Sequence, residues 1–370
     1  MITACQSMPG AYRNAEYQKR LSHLAAGNRQ SVEAATAGLG EEEEIRFLAW
    51  ALQNTSASIS ARATAAHVLG SWPNARAARI LEKAMLDETM PNEVREACAT
   101  SFYRCGDIDT LVLLVRCSAN TNLSVSLRGA SLGMIHELIM RTHHISDPFA
   151  NAVIDRGGIE KSMVVLTTNE AECELVRKSI RILGDIAATN AVPNVVRLLT
   201  NTSLEIASEC MTALGEIRSE TAVSALLSTL ENPLLYTNAI YELGFTKSAM
   251  ALPRLHELLV DPRSRGKTVI AGALGMIGSL DSEQFLLRTL KADDAELRAA
   301  SALALGELGG EKTIRAFGEL LIAEQDRGVI RCVALSLGRL TKPEVVDPET
   351  GAERKRKPGQ GFAPPSSNLF

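Results

Sequence analysis

The chain has 370 residues, of which 46% are hydrophobic and only 4% aromatic, and its formal net charge is -4. A core of Ala, Leu, Ile and Val favours closely packed helices over a β-sandwich. The slightly negative charge and the scarcity of aromatic rings disfavour nucleic-acid binding, which usually requires a basic surface and stacking platforms. No run of about 18 apolar residues occurs, so the sequence predicts no membrane-spanning helix.

Residues 1–29 are predicted to form an N-terminal tail and, at "YQKRLSHLAA", a capping helix. Residues 2–5, "ITAC", resemble a bacterial lipoprotein cleavage box, but a signal peptide needs a basic and an apolar region before the cysteine. Two alternatives stay open: a chance match in a cytoplasmic protein, or membrane anchoring through a lipidated Cys5 with a true start further upstream. The seven cysteines form no CxxC pair, which favours a reducing compartment.

A short phrase related to "ALG" recurs along the chain, and its last six copies are separated by 31, 29, 31, 31 and 32 residues. Such regular self-similarity indicates a repeat protein. The earlier copies are spaced more loosely, and "ATAGLG" at Gly40 is predicted to open the array. The glycines that end the recurring phrase are Gly70, Gly133, Gly184, Gly215, Gly244, Gly275, Gly306 and Gly338.

One unit of this repeat is predicted to contain two helices. In "SEQFLLRTLKA", Phe285, Leu286 and Leu290 share one face of a first helix, and the "DD" that follows is a turn and cap signal. The second helix, "AELRAASALALGEL", is apolar nearly all round, with a main stripe of Leu297, Ala300, Ala304 and Leu308. We therefore expect neighbouring units and the partner helix to cover it on every side. Its glycine would allow close packing against the next unit.

The segments "LRAASALALGELG", "VIAGALGMIGS" and "AVPNVVRLLTN" resemble the short HEAT-like repeats of the PBS-lyase class, over roughly residues 40–340. Residues 155–187 resemble an armadillo repeat. The resemblance implies an all-α fold, an α-solenoid (alpha-alpha superhelix) of about ten stacked two-helix HEAT-like repeats spanning residues 30–341. Residues 142–154 are predicted to insert a helix or a loop. Residues 342–370, which include "ERKRKPG", are predicted to be a disordered tail.

Five arginines occupy about the same place early in second helices. They could form a ladder of anion-binding groups, or a structural ladder that pairs with turn acids and backbone carbonyls. The sequence favours the structural alternative. The arginines are Arg62, Arg95, Arg177, Arg298 and Arg331.

Two His-Glu pairs, at 136–137 and 256–257, resemble those that bind two irons in the deoxyhypusine hydroxylases, a HEAT-like family. That family has four equivalent pairs, whereas here one pair lies in a second helix and the other in a first helix. We therefore predict no metal site, no cofactor and no catalytic residue. A further group near the insertion fits no standard zinc spacing: His136, His143, His144 and Asp147.

The predicted function is that of a non-enzymatic scaffold that binds a protein partner on its concave surface, as solenoids commonly do. Because the PBS-lyase name comes from a family that attaches or detaches bilins, one alternative is a bilin-lyase-like enzyme or chaperone. A second alternative is a nucleic-acid-binding solenoid. The partner-binding residues are expected in a mixed-charge groove with a tyrosine anchor. The candidates are Arg177, Lys178, Arg181, Glu209, Glu216, Tyr241 and Glu242.

Overall fold

The computed structural model describes residues 10–72, 75–102, 108–144, 156–168, 173–201 and 203–340. All regular structure in these ranges is helical, with twenty α-helices and short 3-10 turns. Successive helices pack in pairs, and the second helix of a pair also packs against the second helices of neighbouring pairs. The predicted α-solenoid is therefore confirmed. The predictions on Cys5, Asp147 and the tail 342–370 fall outside the described residues.

The chain divides into two compact units. The N-terminal unit, Met1–Ile182, begins with a helix whose Tyr17 ring packs 5.1 Å from the ring of Phe47, so the first helix covers the next pair. Its helices are α1 (Gly10–Leu24), α2 (Arg29–Thr36), α3 (Glu41–Gln53), α4 (Ile59–Leu69), α5 (Ala75–Leu86), α6 (Asn92–Phe102), α7 (Ile108–Ala119), α8 (Val125–His144), α9 (Arg156–Leu166) and most of α10 (Cys173–Asp185).

The C-terminal unit, Leu183–Phe370, has a core of Leu, Ile, Val and Ala with a single fully buried aromatic side chain, Phe317, among its described residues. Its first helices alternate with its second helices from α11 onward. After the end of α10 they are α11 (Val192–Asn201), α12 (Leu204–Ile217), α13 (Glu220–Thr229), α14 (Tyr236–Thr246), α15 (Leu252–Val260), α16 (Lys267–Ile277), α17 (Glu283–Thr289), α18 (Ala295–Leu308), α19 (Glu311–Ala323) and α20 (Arg327–Leu340).

The repeat glycines let neighbouring second helices approach closely. A Cβ atom on Gly275 would lie 2.8 Å from the Cα atom of Ala304, and one on Gly306 would lie 2.5 Å from the Cβ atom of Ser336. Neither position has room for a larger residue, so the predicted close packing is confirmed. Gly40 is different, because α2 ends at Thr36 and Gly40 is the N-cap of α3.

The expectation that a second helix is covered on every side is wrong for helix α18. Ala302 and Leu305 are fully buried, but Ala299, Ala300 and Leu303 are only partly buried. The preceding second helix, the following one and the partner first helix cover three sides of α18. The fourth side faces solvent.

The predicted insertion at 142–154 begins inside a helix. Helix α8 has 20 residues and continues through His144, so the extra residues first lengthen a second helix. Residues 145–155 lie outside the described part of the chain.

Candidate functional site

In several second helices, the residues that face solvent occupy the same positions relative to the repeat glycine. The residue three places before the glycine and the residue one place after it are four apart, so they share one side of the helix. In α12, α14, α16 and α18 these residues are all exposed or partly buried. We call this surface of the C-terminal unit the open face; it consists of Thr212, Glu216, Tyr241, Phe245, Gly272, Met276, Leu303 and Glu307.

Two aromatic side chains on α14 lie on the open face. Tyr241 is 42% exposed and Phe245 is 38% exposed, one helical turn apart. The Arg218 guanidinium carbon lies 5.0 Å from the centroid of the Phe245 ring, within cation–π distance. Partly exposed aromatic rings gain much free energy when a partner desolvates them. Sequence reasoning missed Phe245, although its spacing of four from Tyr241 places it on the same side.

Helix α12, the second helix next to α14, carries two carboxylates, of which that of Glu216 lies against Gly184 of α10. Glu209 and Glu216 are partly buried on α12, and neither α12 nor α14 contains a lysine or arginine. The nearest cations in sequence are Arg218 and Lys247, which directly follow the ends of these two helices. The α12–α14 part of the open face therefore combines aromatic rings, acidic side chains and the Arg218 guanidinium that lies over Phe245.

Glu242, another predicted binding residue, lies in the contact between α12 and α14. Only 8% of it is exposed, and its Oε1 atom accepts a hydrogen bond from Thr212 Oγ1 at 3.0 Å. Burial raises the pKa of its carboxyl above the ordinary value, although the Thr212 hydrogen bond lowers it in part. A Cβ atom at Gly215 would collide with this carboxylate. Glu242 therefore lies within the contact between helices and offers little to a partner.

The three predicted cations lie on α10 within the N-terminal unit. Arg177 Nη2 is 3.5 Å from Glu174 Oε2, and Lys178 Nζ is 3.3 Å from Glu174 Oε1. Lys178 also donates to the backbone oxygen of Gly129 at 3.1 Å. Arg181 is exposed. The predicted set therefore divides between the two units, and its acidic and aromatic members belong to the C-terminal one.

The early arginines of the N-terminal unit are structural. Arg62 Nε donates to Leu52 O at 2.9 Å, and Arg95 Nε donates to Met85 O at 2.9 Å. Arg128, which sequence reasoning missed, donates in the same way to Ser118 O at 3.0 Å. All three are buried, and each carbonyl lies in the last turn of the preceding first helix, where carbonyls lack helical partners. A spacing of 33 residues, shared by all three, was the signal for Arg128.

Arg298 is structural as well. It donates to the backbone oxygens of Ala292 and Asp293 and forms a two-point ion pair with Glu324, with Nε–Oε2 at 2.7 Å and Nη2–Oε1 at 2.9 Å. Arg331, by contrast, is exposed on α20. The anion-binding alternative therefore finds no support at Arg62, Arg95 or Arg298.

The His-Glu pairs lie on non-equivalent helices, α8 and α15, as expected. His256 Nε2 is 2.8 Å from Ser282 Oγ, and its ring stacks on Phe285 with centroids 4.0 Å apart. Burial lowers the pKa of His256. Within the described residues, no three His, Cys, Asp or Glu side chains are placed to hold a metal ion.

None of the helices in the described ranges has both the length and the apolar character needed to cross a membrane.

No family model matches the sequence, and no curated protein matches it either. Among solved structures the chain is similar to a Kap121p mutant, with TM-score 0.55, 10% identity, and coverage of 90% of this chain but 45% of that one. It is also similar to Kap121p bound to the extreme C-terminus of the protein phosphatase Cdc14p, with TM-score 0.50 and 9% identity over 90% of this chain and 45% of that one.

Two weaker likenesses have TM-scores below 0.5. The complex of CpcE and CpcF of phycocyanin lyase from Nostoc sp. matches at TM-score 0.34 and 17% identity, over 80% of this chain and 94% of that one. Human deoxyhypusine hydroxylase matches at TM-score 0.29 and 18% identity, over 71% and 95%. The fold defines the class: this chain is a HEAT-like helical-repeat protein in architecture.

Proposed function

We propose that this protein is a non-enzymatic scaffold that binds a protein partner through the open face of its C-terminal unit. The observation that carries the proposal is the pair of exposed aromatic rings, Tyr241 and Phe245, on a face whose neighbouring helix α12 carries Glu209 and Glu216. Exposed rings on a rigid helical framework lose little conformational entropy when they bind.

The chemistry of this surface favours a protein segment over a nucleic acid. Helix α12 supplies the carboxylates of Glu209 and Glu216, which would repel a phosphate backbone, whereas the cation at these rings, Arg218, lies over Phe245. A segment with an apolar side chain flanked by lysines or arginines would complement them. A structure of Kap121p, whose fold this chain shares, has the extreme C-terminus of the protein phosphatase Cdc14p bound, and this supports a similar mode for the present chain. Membership of the PBS-lyase class stays a prediction from the sequence.

The proposal is tested by crosslinking in the native cells, comparing the wild type with the double variant Tyr241→Ala/Phe245→Ala. Leu234→Ala is the matched control, because Leu234 is 78% exposed in the same unit but lies outside the open face. We expect a protein captured by the wild type and the control to be lost from the double variant. Equal capture by all three chains, or capture of no protein, would overturn the proposal.

A further inference from the structure

Helix α20, the last second helix that the structure describes, carries a line of basic side chains. Arg327, Arg331, Leu335 and Arg339 follow one another at intervals of four residues, so they lie along one side of the helix. We call these four residues the basic stripe. Helix α20 contains no aspartate or glutamate, and the second helices α12, α14, α16 and α18 together contain only one lysine and one arginine. The stripe is therefore peculiar to the last described repeat of the C-terminal unit.

Two arginines of the basic stripe have no partner within the described part of the chain. Arg339 forms an ion pair with Glu307 of α18. Arg327 and Arg331 are exposed and make no hydrogen bond or ion pair with any described residue. Leu335, between Arg331 and Arg339, is 52% exposed. The stripe therefore offers two guanidinium groups, one helical turn apart, and an apolar side chain next to them.

The carboxylates nearest in sequence to these two arginines have partners of their own. Glu324 forms the two-point ion pair with Arg298, and Asp326 Oδ1 accepts a hydrogen bond from the backbone N–H of Val329 at 3.0 Å. The turn before α20 therefore supplies no ion pair to the stripe.

The sequence that directly follows α20, outside the described residues, has a pattern that matches the stripe. In "TKPEVVDPE", residues 341–349, one apolar residue and two acids occur at alternate positions, Val345, Asp347 and Glu349. Pro348 favours an extended backbone at Asp347. In an extended segment, side chains two residues apart lie on the same side and about 6.6 Å apart. On a helix, residues four apart are separated by about 6 Å along the axis.

We propose that residues 345–349 run back along α20 and bind the basic stripe of the same chain. The two spacings agree to within about 1 Å, so an extended segment antiparallel to α20 presents its three side chains in register with the stripe. Carboxylate–guanidinium pairs form at two of the positions and an apolar contact at the third. The pairs are Val345 with Leu335, Asp347 with Arg331, and Glu349 with Arg327.

The connection is long enough for this arrangement. Helix α20 ends at Leu340, and Leu335 lies five residues before that end, about 7.5 Å back along the axis. Residues 341–344 span up to about 13 Å when extended, so the chain can reverse its direction and reach Leu335. Because the segment is covalently attached, its binding costs less entropy than that of a separate acidic peptide. The stripe is therefore better matched to this segment than to another chain.

Bound in this way, the segment covers the exposed side chain of Leu335 and adds a polar outer surface to the last described repeat, as terminal repeats of solenoids require. The proposal does not depend on a partner of the open face, because its contacts lie on α20 alone. The double variant Tyr241→Ala/Phe245→Ala, which tests the open face, should therefore leave the segment in place.

Zero-length crosslinking of the full chain tests the contact. Arg331→Lys places an amine on the stripe, and a carbodiimide joins this amine only to a carboxylate in direct contact with it. We expect mass spectrometry to find an amide between position 331 and position 347 or 349. Arg315→Lys is the matched control, because Arg315 is exposed on α19 of the same repeat but lies off the stripe. The yield of an amide to position 347 or 349 should be at least fivefold lower in this control.

The ion pair between Lys178 and Glu174, whose Nζ and Oε1 atoms are 3.3 Å apart, reports that the reagent has worked. An amide at Lys178, with none from position 331 to residues 345–349, would overturn the proposal. Isotope-labelled and unlabelled chains are mixed, so that an amide between two chains is recognised by its mass. An amide that joins position 331 only to the segment of a second copy would overturn the proposal too.

Proteolysis provides a second readout that requires no new amine. A glutamate-specific protease cleaves after Glu349, inside the bound segment, and after Glu353, beyond it. We expect the double variant Arg327→Glu/Arg331→Glu to be cleaved at least fivefold faster after Glu349 and at an unchanged rate after Glu353. Both substituted positions are exposed, so the variant is expected to fold, and circular dichroism verifies this. Equal rates after Glu349 in the wild type and the variant would show that the stripe does not bind the segment.

Discussion

At the residue scale, two glycines of α16 have opposite roles although they are three positions apart. A Cβ atom on Gly275 would meet the backbone of Ala304, whereas one on Gly272 meets no atom within 4 Å. Gly272 lies on the open face, and Gly275 lies in the contact between α16 and α18. Their sequence environments, "AGAL" and "LGMI", do not distinguish these roles.

Substitution of each glycine by alanine should change stability in opposite directions. Gly272→Ala should stabilise by about 0.5–1 kcal/mol, because alanine is the better helix former and its methyl group enters open space. Gly275→Ala should destabilise, because overpacking costs about 1–3 kcal/mol and exceeds that gain. Urea unfolding followed by circular dichroism measures both. A Gly275→Ala chain as stable as Gly272→Ala would contradict the packing described here.

The ion pair between Arg298 and Glu324 predicts a pH dependence of stability. Hydrogen bonds from Arg298, and from the backbone N–H groups of the two residues that follow Glu324, lower the pKa of the Glu324 carboxyl from 4.5 to about 2. A carboxyl whose pKa is lowered in the folded state stabilises the fold at pH values above its ordinary pKa. This stabilisation is lost as the pH falls through the pKa of the folded state. Glu324→Gln should therefore be less stable than wild type at pH 7, and the difference should shrink between pH 4.5 and pH 2.

Urea titrations at pH 7, 4 and 3 measure that difference, with the exposed Glu311→Gln as the control. A difference between Glu324→Gln and wild type that is the same at pH 7 and pH 3 would show that the ionised carboxylate contributes nothing to stability.

At the scale of helices, buried arginines connect the two helices of a repeat. In the N-terminal unit, Arg62, Arg95 and Arg128 each donate to a carbonyl in the last turn of the preceding first helix. That turn also carries the negative end of the helix dipole, so a cation there is doubly favourable. The negative charge with which these arginines interact is the partial charge at the C-terminal end of the preceding first helix.

Arg128→Met should preserve the apolar stem and remove this hydrogen bond. Because the carbonyl of Ser118 would then lack its partner in a buried setting, we expect a loss of about 1–3 kcal/mol. Hydrogen exchange should also become faster in the last turn of α7. Arg331→Met is the control, since Arg331 is exposed and its replacement should change stability little. Equal effects of the two substitutions would contradict a capping role for Arg128.

At the scale of the whole molecule, each repeat depends chiefly on its neighbours, so unfolding should not be a single two-state transition. The chain has two tryptophans, and both, Trp50 and Trp72, lie in the N-terminal unit. Their fluorescence therefore reports that unit alone, whereas circular dichroism reports both. We expect the two probes to give different urea midpoints. Gly275→Ala should shift the dichroism transition and leave the fluorescence midpoint unchanged. Coincident transitions in both chains would refute this.

The amino-acid sequence by itself determined the fold class. The recurring glycine phrase and the helical period of the apolar residues require helix pairs that cover one another, because a single pair cannot bury its own apolar side. Asp294, which accepts from the backbone N–H of Glu296, shows that even the cap at the start of α18 could be predicted, since capping is a local interaction.

Only the tertiary structure decided which side of a second helix stays open. Ala300 and Ala302 are identical residues two positions apart in α18, yet one is partly buried and the other fully buried. When a helix is apolar on all sides, its sequence has no distinct polar side from which to predict which side faces solvent. Likewise, no feature of the sequence around Glu242 indicates that its carboxylate is buried beside Thr212. These outcomes depend on where the neighbouring helices lie, and that placement is set by close packing between segments about 30 residues apart.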